Sequence, residues 1–499
     1  MKIPLKLPPG VTGDDTDFDT GGWKSSDGVR FWRGQPQTIG GWEPFSLTPL
    51  DGVCRAAFCW TDALNLTNVA FGCHNGLTIW QAGEQGDITP AAFVDGQVDG
   101  TGSAGYGTGA YGVGNYGEPS ATDYFPMTWS FGTRSFGELY ANPRGQGIFV
   151  WENVVADIAI PLTNAPAVCN SIHVAWTDQV MAFGCTDVGG QFNASCIRIS
   201  DIIDPTVWSP LPANTAQQFY LKGNGRIVRA LPVGRYVFVW TDSELHLGTY
   251  TSGWDFEPMG VGGLCGPNAA VVVGQVAYWI SPDLQFWSAP LGGAPAIMDC
   301  TVREEFLDNA AISQNDKITA SSVSEWGEIV WYYADARDGS GYEVSRSIRY
   351  SPKDGAWSQG QEPRTAFLDG NPAPNPIGVT FAGDIFWHER GSSANGAPLT
   401  ASLATGGQYM DPAQNTMLLR GLWPDFRDQV GAINLTIRTR FYPQDTPVEH
   451  GPFLIAPNAN KVDFLVAGRI FDFEFTSSSS PMAWRMGKPV FDAVITGER

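Results

Sequence analysis

The sequence predicts an all-β protein, a β-propeller of about six to seven blades with an additional, smaller β-rich domain. Three observations predict it. Trp60-Thr61-Asp62, Trp176-Thr177-Asp178 and Trp240-Thr241-Asp242 each stand between two short apolar runs, as in a strand that ends on an aromatic, turns on Thr-Asp and returns. Fifty-nine glycines, 35 prolines, 19 tryptophans and 28 phenylalanines make a strand-and-turn composition, with no long amphipathic helical stripe. Near the end, Ile433, Leu435 and Ile437, then Phe471, Phe473 and Phe475, alternate with polar residues at the period of a half-buried strand.

Residues 1–50 hold an acidic loop, Gly13 to Asp19, and then Val29, Phe31, Ile39 and Trp42 around a hairpin turn near Gly34-Gln35-Pro36. The propeller is expected over 51–405, in seven strand-turn-strand units that begin at 53, 128, 171, 226, 269, 318 and 377. Most intervals fall near the roughly 40–50 residues of a four-stranded blade, and the wide ones carry insertions. The last unit is expected to use 377–381, 384–388 and 398–403. The widest interval contains an insertion, 96–124, in which Tyr106, Tyr111 and Tyr116 are spaced among glycines; this reads as a surface loop, and it lacks the lysine of a phosphate-binding loop. Residues 406–499 are expected to form the smaller β domain, completed by the N-terminal hairpin.

At 499 residues the chain is too long for one ordinary core. Its net charge of −21 argues against a protein that grips nucleic acid, because phosphate binding needs a basic surface. Pro4, Pro8 and Pro9 interrupt any signal-peptide core, and the apolar run 269–280 is too short to span a bilayer. Eight cysteines without a Cys-x-x-Cys pair read as small buried thiols of a reducing compartment.

Chemistry is thinly represented. Asp15, Asp17 and Asp19 alternate like the opening of a calcium loop, but Gly21 is one position late and Ser26 stands where the closing glutamate belongs. Ser351-Pro-Lys-Asp354-Gly355-Ala-Trp357 resembles the Asp-box turn of sialidase propellers, one residue off on both sides of the aspartate, and that box is a structural turn. A sialidase-like site also needs clustered arginines, whereas most arginines here stand alone in strands. The five histidines, 74, 173, 246, 388 and 450, have no metal-ligand spacing. No catalytic, cofactor or metal residue is assigned, and the chain is expected not to be an enzyme.

Several segments together resemble the tail nozzle proteins of short-tailed bacteriophages, also called tail tubular or packaged-DNA-stabilisation proteins. They are Lys6-Leu-Pro-Pro-Gly10, Asp27-Gly-Val-Arg-Phe-Trp-Arg-Gly34 and Gly40-Gly-Trp42 near the start, then 129–151 and 197–208. Gly468-Arg469 and the closing Met482 to Ile495 complete the series in order. The resemblance implies a structural protein of the virion tail, made in the host cytoplasm, with a propeller in each subunit and a β domain that continues a tube. It implies a ring of about six copies below the portal and adaptor, which retains packaged DNA and then passes it without specific binding. Tail fibres and a plug or needle are further implied partners. An acidic lumen suits that role, because it repels phosphates. The alternative is a carbohydrate-binding or glycoside-hydrolysing propeller of a tail component, with aromatics stacking on sugars. A receptor-binding adhesive domain is a third class.

Overall fold

The structure, a computed structural model, describes residues 1–16, 22–100, 125–223 and 225–497. Seven four-stranded antiparallel sheets follow one another along the chain. Their first strands are Cys54–Thr61, Trp129–Thr133, Cys169–Val174, Ile227–Val233, Ala270–Val273, Thr319–Val323 and Ala366–Leu368. Each adjoins the next, and the seventh adjoins the first, so the sheets are blades 1 to 7 of a closed propeller. Tryptophan fills the blade cores: Trp129, Trp151, Trp208, Trp240, Trp279, Trp331 and Trp357 are all fully buried. Truncating such a side chain to alanine costs about 3–5 kcal/mol.

The Trp-Thr-Asp segments are hairpin turns held as their chemistry requires. Asp62 Oδ1 accepts from the backbone N–H of Leu64 and Leu66, both at 2.9 Å. Thr241 Oγ1 accepts from Glu244 N at 2.8 Å. They are not equivalent positions, however. Trp60 and Trp176 lie at the end of an innermost strand, whereas Trp240 ends the second strand of blade 4. The Asp-box-like segment joins the third and fourth strands of blade 6, with Trp357 Nε1 donating to Asp299 O at 2.8 Å.

Blade 7 differs from its sequence reading. Its innermost strand is Ala366–Leu368, followed by Ile377–Val379 and Ile385–His388, and its outermost strand is Trp42–Pro44 from the N-terminal segment. The run expected to finish the blade is the strand Leu399–Thr405, which pairs instead with Ile470–Ser479 and Trp23–Asp27. Leu399, Ala401 and Leu403 are buried on one face there, at the period of a sheet that covers a core on one side only.

The second body is all β as well. One sheet orders Lys2–Pro4, Val490–Gly497, Thr416–Trp423 and Val462–Gly468. Another orders Trp23–Asp27, Leu399–Thr405, Ile470–Ser479, Ile433–Arg440 and Val448–Ile455. The third joins the N-terminal hairpin, Val29–Trp32 and Gln35–Thr38, to Ala483–Met486 and Phe426–Val430. The hairpin turns on Arg33 and Gly34, with φ of 53° and 74°, the two positive values of a type I′ turn. Ile433, Leu435, Ile437, Phe471, Phe473 and Phe475 all face the core, as their alternation predicts.

A buried ionic network ties the two bodies together. Arg30, on the hairpin and wholly buried, forks onto Glu389 at 2.9 and 2.5 Å and reaches Glu328 at 3.3 Å. Arg349 bridges Glu328 at 3.4 Å and Glu362 at 2.5 Å, and Arg364 Nε donates to His388 Nε2 at 2.8 Å. Trp42 stacks on His388 with centroids 5.7 Å apart and carries the Arg364 guanidinium over its ring at 4.9 Å. Burial works against every charge here. It pushes Glu328 up, whereas Arg349 and Arg364 hold Glu362 below the usual carboxylate range despite burial. Arg30 does the same for Glu389.

Replacing Arg30 with Met leaves two buried carboxylates without their main cation, which costs about 3–5 kcal/mol. Guanidinium chloride denaturation should show that loss; one below about 1 kcal/mol would mean that the network does not hold the bodies together.

Candidate functional site at the propeller axis

The seven innermost strands enclose a cavity of about 520 Å³ on the propeller axis, lined by residues of every blade. One mouth is covered. The loop into blade 5 reaches across the axis, where Asn268 Nδ2 donates to Arg55 O of blade 1 and to Thr128 Oγ1 beside blade 2, both at 2.8 Å. Ala320 N of blade 6 donates to Asn268 O at 2.7 Å. Over this sits a charged lattice: Arg55 forks onto Glu343 at 3.0 and 2.8 Å, and the wholly buried Lys317 ammonium meets Asp99 at 2.5 Å and the Tyr342 carbonyl.

The flanks of the Gly/Tyr-rich insertion are tied to the same mouth. Val98 O accepts from Arg55 Nη2 at 2.9 Å, and Met127 N donates to Gln97 O at 2.8 Å. Phe125 lies beneath Arg144 at 4.0 Å. Tyr106, Tyr111 and Tyr116 lie outside the described residues. The cavity reaches the opposite face at Gly234, Trp176 and Tyr236, where both aromatics are exposed.

Two ionisable groups line the cavity between these ends, Arg229 on blade 4 and His173 on blade 3. Arg229 Nη1 donates to Trp129 O at 3.4 Å, and its Nε meets no hydrogen-bond partner among the described residues. No carboxylate within ion-pair distance answers its charge among those residues, and burial lowers the guanidinium to about 10. Burial, with the nearby Arg229 charge, lowers His173 to about 4, so its imidazole is neutral at pH 7. The rest of the wall is mainly apolar, with Phe58, Phe131, Val174, Leu231 and Val271. No Asp or Glu lines it among the described residues, so the axis lacks the carboxylate pair of a glycosidase.

The other sequence candidates disperse. Asp17 and Asp19 lie outside the described residues, Asp14 accepts from Glu304 N at the start of the helix Arg303–Asn309, and Ser26 Oγ donates to Gln359 O. No group of three or more metal-ligating side chains occurs among the described residues. His74 Nδ1 accepts from Val53 N at 2.9 Å, His246 stands 3.4 Å from Glu244, and His450 contacts Thr439 at 3.0 Å. All eight cysteines are free. Sequence reasoning took the arginines as solitary, yet Arg30, Arg349 and Arg364 converge in the buried network. Glutamates occupy Arg30 and Arg349, and Arg364 donates from Nε to His388 and from Nη1 to the Pro363 carbonyl, while its buried Nη2 meets no partner among the described residues.

No family model and no curated protein matches the chain. Solved structures share parts of its shape at low identity. BBS1N, solved in complex with ARL6DN, is 10% identical over 70% of this chain and 98% of that one, with a TM-score of 0.42. The computationally designed Ika8 protein is 13% identical over 70% of this chain and 100% of that one, with a TM-score of 0.37. No helix among the described residues is long and apolar enough to cross a membrane.

The unfolded chain protonates His173 near pH 6.5, whereas the folded chain resists until about 4. The unfolded state therefore binds more protons between those values, and stability falls as pH drops through that window. Denaturation midpoints at pH 7, 6 and 5 should show a shallower fall for His173→Gln than for the natural chain, by at most about 1.4 kcal/mol per pH unit. Parallel slopes would mean that His173 titrates normally.

Proposed function

We propose that this chain is a structural protein of a short-tailed phage tail, a nozzle subunit that assembles with copies of itself into a ring below the portal and adaptor. The observation that carries the reading is a segregation of charge. Residues 50–398 contain 35 acidic against 16 basic residues, whereas 399–499 contain 10 against 9. A propeller with that excess repels phosphates and lets DNA slide past without the contacts that would hold it. The axial cavity is far too small to thread a duplex, so the conduit lies between subunits and not through one.

The nearly neutral β domain suits self-association. Val448–Ile455 and Val462–Gly468 are edge strands of their sheets and lie side by side. On or beside them Phe441, Tyr442, Val448, Leu454 and Leu465 are exposed, Leu465 by 74%. Exposed edges with apolar side chains are what a monomer avoids and a ring interface uses. The sequence motifs that resemble those of nozzle proteins add the phage context. The glycan reading keeps one favourable feature, the exposed Trp176 and Tyr236 at the open mouth, but no Asp or Glu lines the cavity among the described residues.

Quantitative mass spectrometry of purified virions should find about six copies of this chain per particle, the number that the nozzle resemblance implies. Absence from virions would end the nozzle reading. If the edge strands form the ring, the double variant Leu454→Glu, Leu465→Glu should fold with an unchanged circular dichroism spectrum yet yield no rings by negative-stain microscopy. Rings of normal size from that variant would place the interface elsewhere.

A further inference from the structure

The axial cavity holds a cation that no Asp or Glu among the described residues neutralises, and the nozzle reading makes no use of that cation. Every other arginine on the propeller's inner wall or in the domain junction has an acid or a tight acceptor: Arg55 has Glu343, and Arg349 has Glu328 and Glu362. Among the described residues Arg229 has a single long contact to a backbone carbonyl, and its Nε is shut away from solvent without a partner there. A guanidinium in a mainly apolar cavity is costly, and an anion that enters removes that cost.

The wall limits which anion fits. Phe58, Phe131 and Trp129 stack in a row, with centroid spacings of 6.0 and 6.2 Å, and Leu231 and Val271 continue an apolar surface. His173, neutral at pH 7, adds one hydrogen bond and no charge. Arg55 brings no free charge, because Glu343 already holds it. A dianion such as phosphate would find one cation and an apolar bed, whereas a single carboxylate on an apolar body finds both of its needs met. The volume lies within the about 300–1,000 Å³ range of small-molecule sites. Access is from the face bearing Trp176 and Tyr236, because the opposite mouth is covered by Asn268 and the ion pairs above it.

We propose that the axial cavity binds a small organic monocarboxylate, whose carboxylate pairs with the Arg229 guanidinium and whose apolar body lies against Phe58, Phe131 and Leu231. The site stands independently of the nozzle reading, since neither the ring nor the edge strands take part in it. Its chemical class is an aryl or branched aliphatic acid, not a nucleotide or a bare inorganic anion.

Full-length protein titrated with phenylacetate, followed by isothermal calorimetry and by tryptophan fluorescence, should give a saturable response. Phenylacetamide, equal in shape but uncharged, should bind at least about tenfold more weakly, the loss expected when a charge-assisted pair becomes a neutral one. Arg229→Gln should lose the preference for the acid, and Arg229→Lys should retain part of it. Thermal melting of each variant shows whether it is folded; if Arg229→Gln is not, the acid–amide comparison on the natural chain and on Arg229→Lys decides. Equal binding of acid and amide, an unchanged preference in folded Arg229→Gln, or no saturation would each overturn the assignment. Displacement of phenylacetate by equimolar inorganic phosphate would overturn its monocarboxylate class.

Discussion

A propeller is a ring with a seam, and everything else in this molecule depends on how that seam is shut. Six blades are each made from one continuous stretch of chain. The seventh takes its outermost strand, Trp42–Pro44, from residues laid down before the first blade, and the antiparallel pairing of that strand with Ile385–His388 crosses the join, with Phe45 N donating to Ile385 O at 2.9 Å beside it. Beside the join, Arg30 grips Glu389 from the neighbouring body, while Trp42 stacks on His388 and shields Arg364. Ring closure and domain docking are therefore one set of interactions. The network has no net surplus of either sign, with three arginines facing three glutamates, which is the condition for burying that many charges.

What the sequence disclosed and what it hid follow from distance along the chain. Blades 1 to 6 were legible because their strands pair with immediate neighbours, so apolar runs and turn residues such as Asp62 and Thr241 mark them locally. The C-terminal strands were legible from period-two alternation, which places Phe471, Phe473 and Phe475 in the core whatever they pair with. Leu399–Thr405 was misassigned because alternation says that a strand is half-buried and not which sheet receives it. The arginine network was invisible for the same reason, since Arg30 and Glu389 lie 359 residues apart. Arg229 gave no sequence signal at all: a lone arginine in an apolar strand looks the same whether or not an acid faces it.

Charge and packing divide the labour between the two bodies. The propeller carries nearly all of the acidic excess, and its ion pairs concentrate at one mouth and at the domain junction. The β domain is close to neutral and leaves apolar edges uncovered. Like charge on the propeller opposes contact between two such surfaces, whereas the nearly neutral β domain raises no such repulsion.

The shared seam also orders events in time. On the ribosome, Trp42–Pro44 emerges first and must wait for Ile385–His388, some 340 residues later, before it has a partner. At about 5–20 residues per second that is a delay of roughly 17–70 s. The β domain waits longer still, because Lys2–Pro4 pairs with Val490–Gly497 at the far end of the chain. The propeller can therefore close before the β domain does, because Ile385–His388 precedes Val448–Ile455, Val462–Gly468 and Val490–Gly497 in the chain.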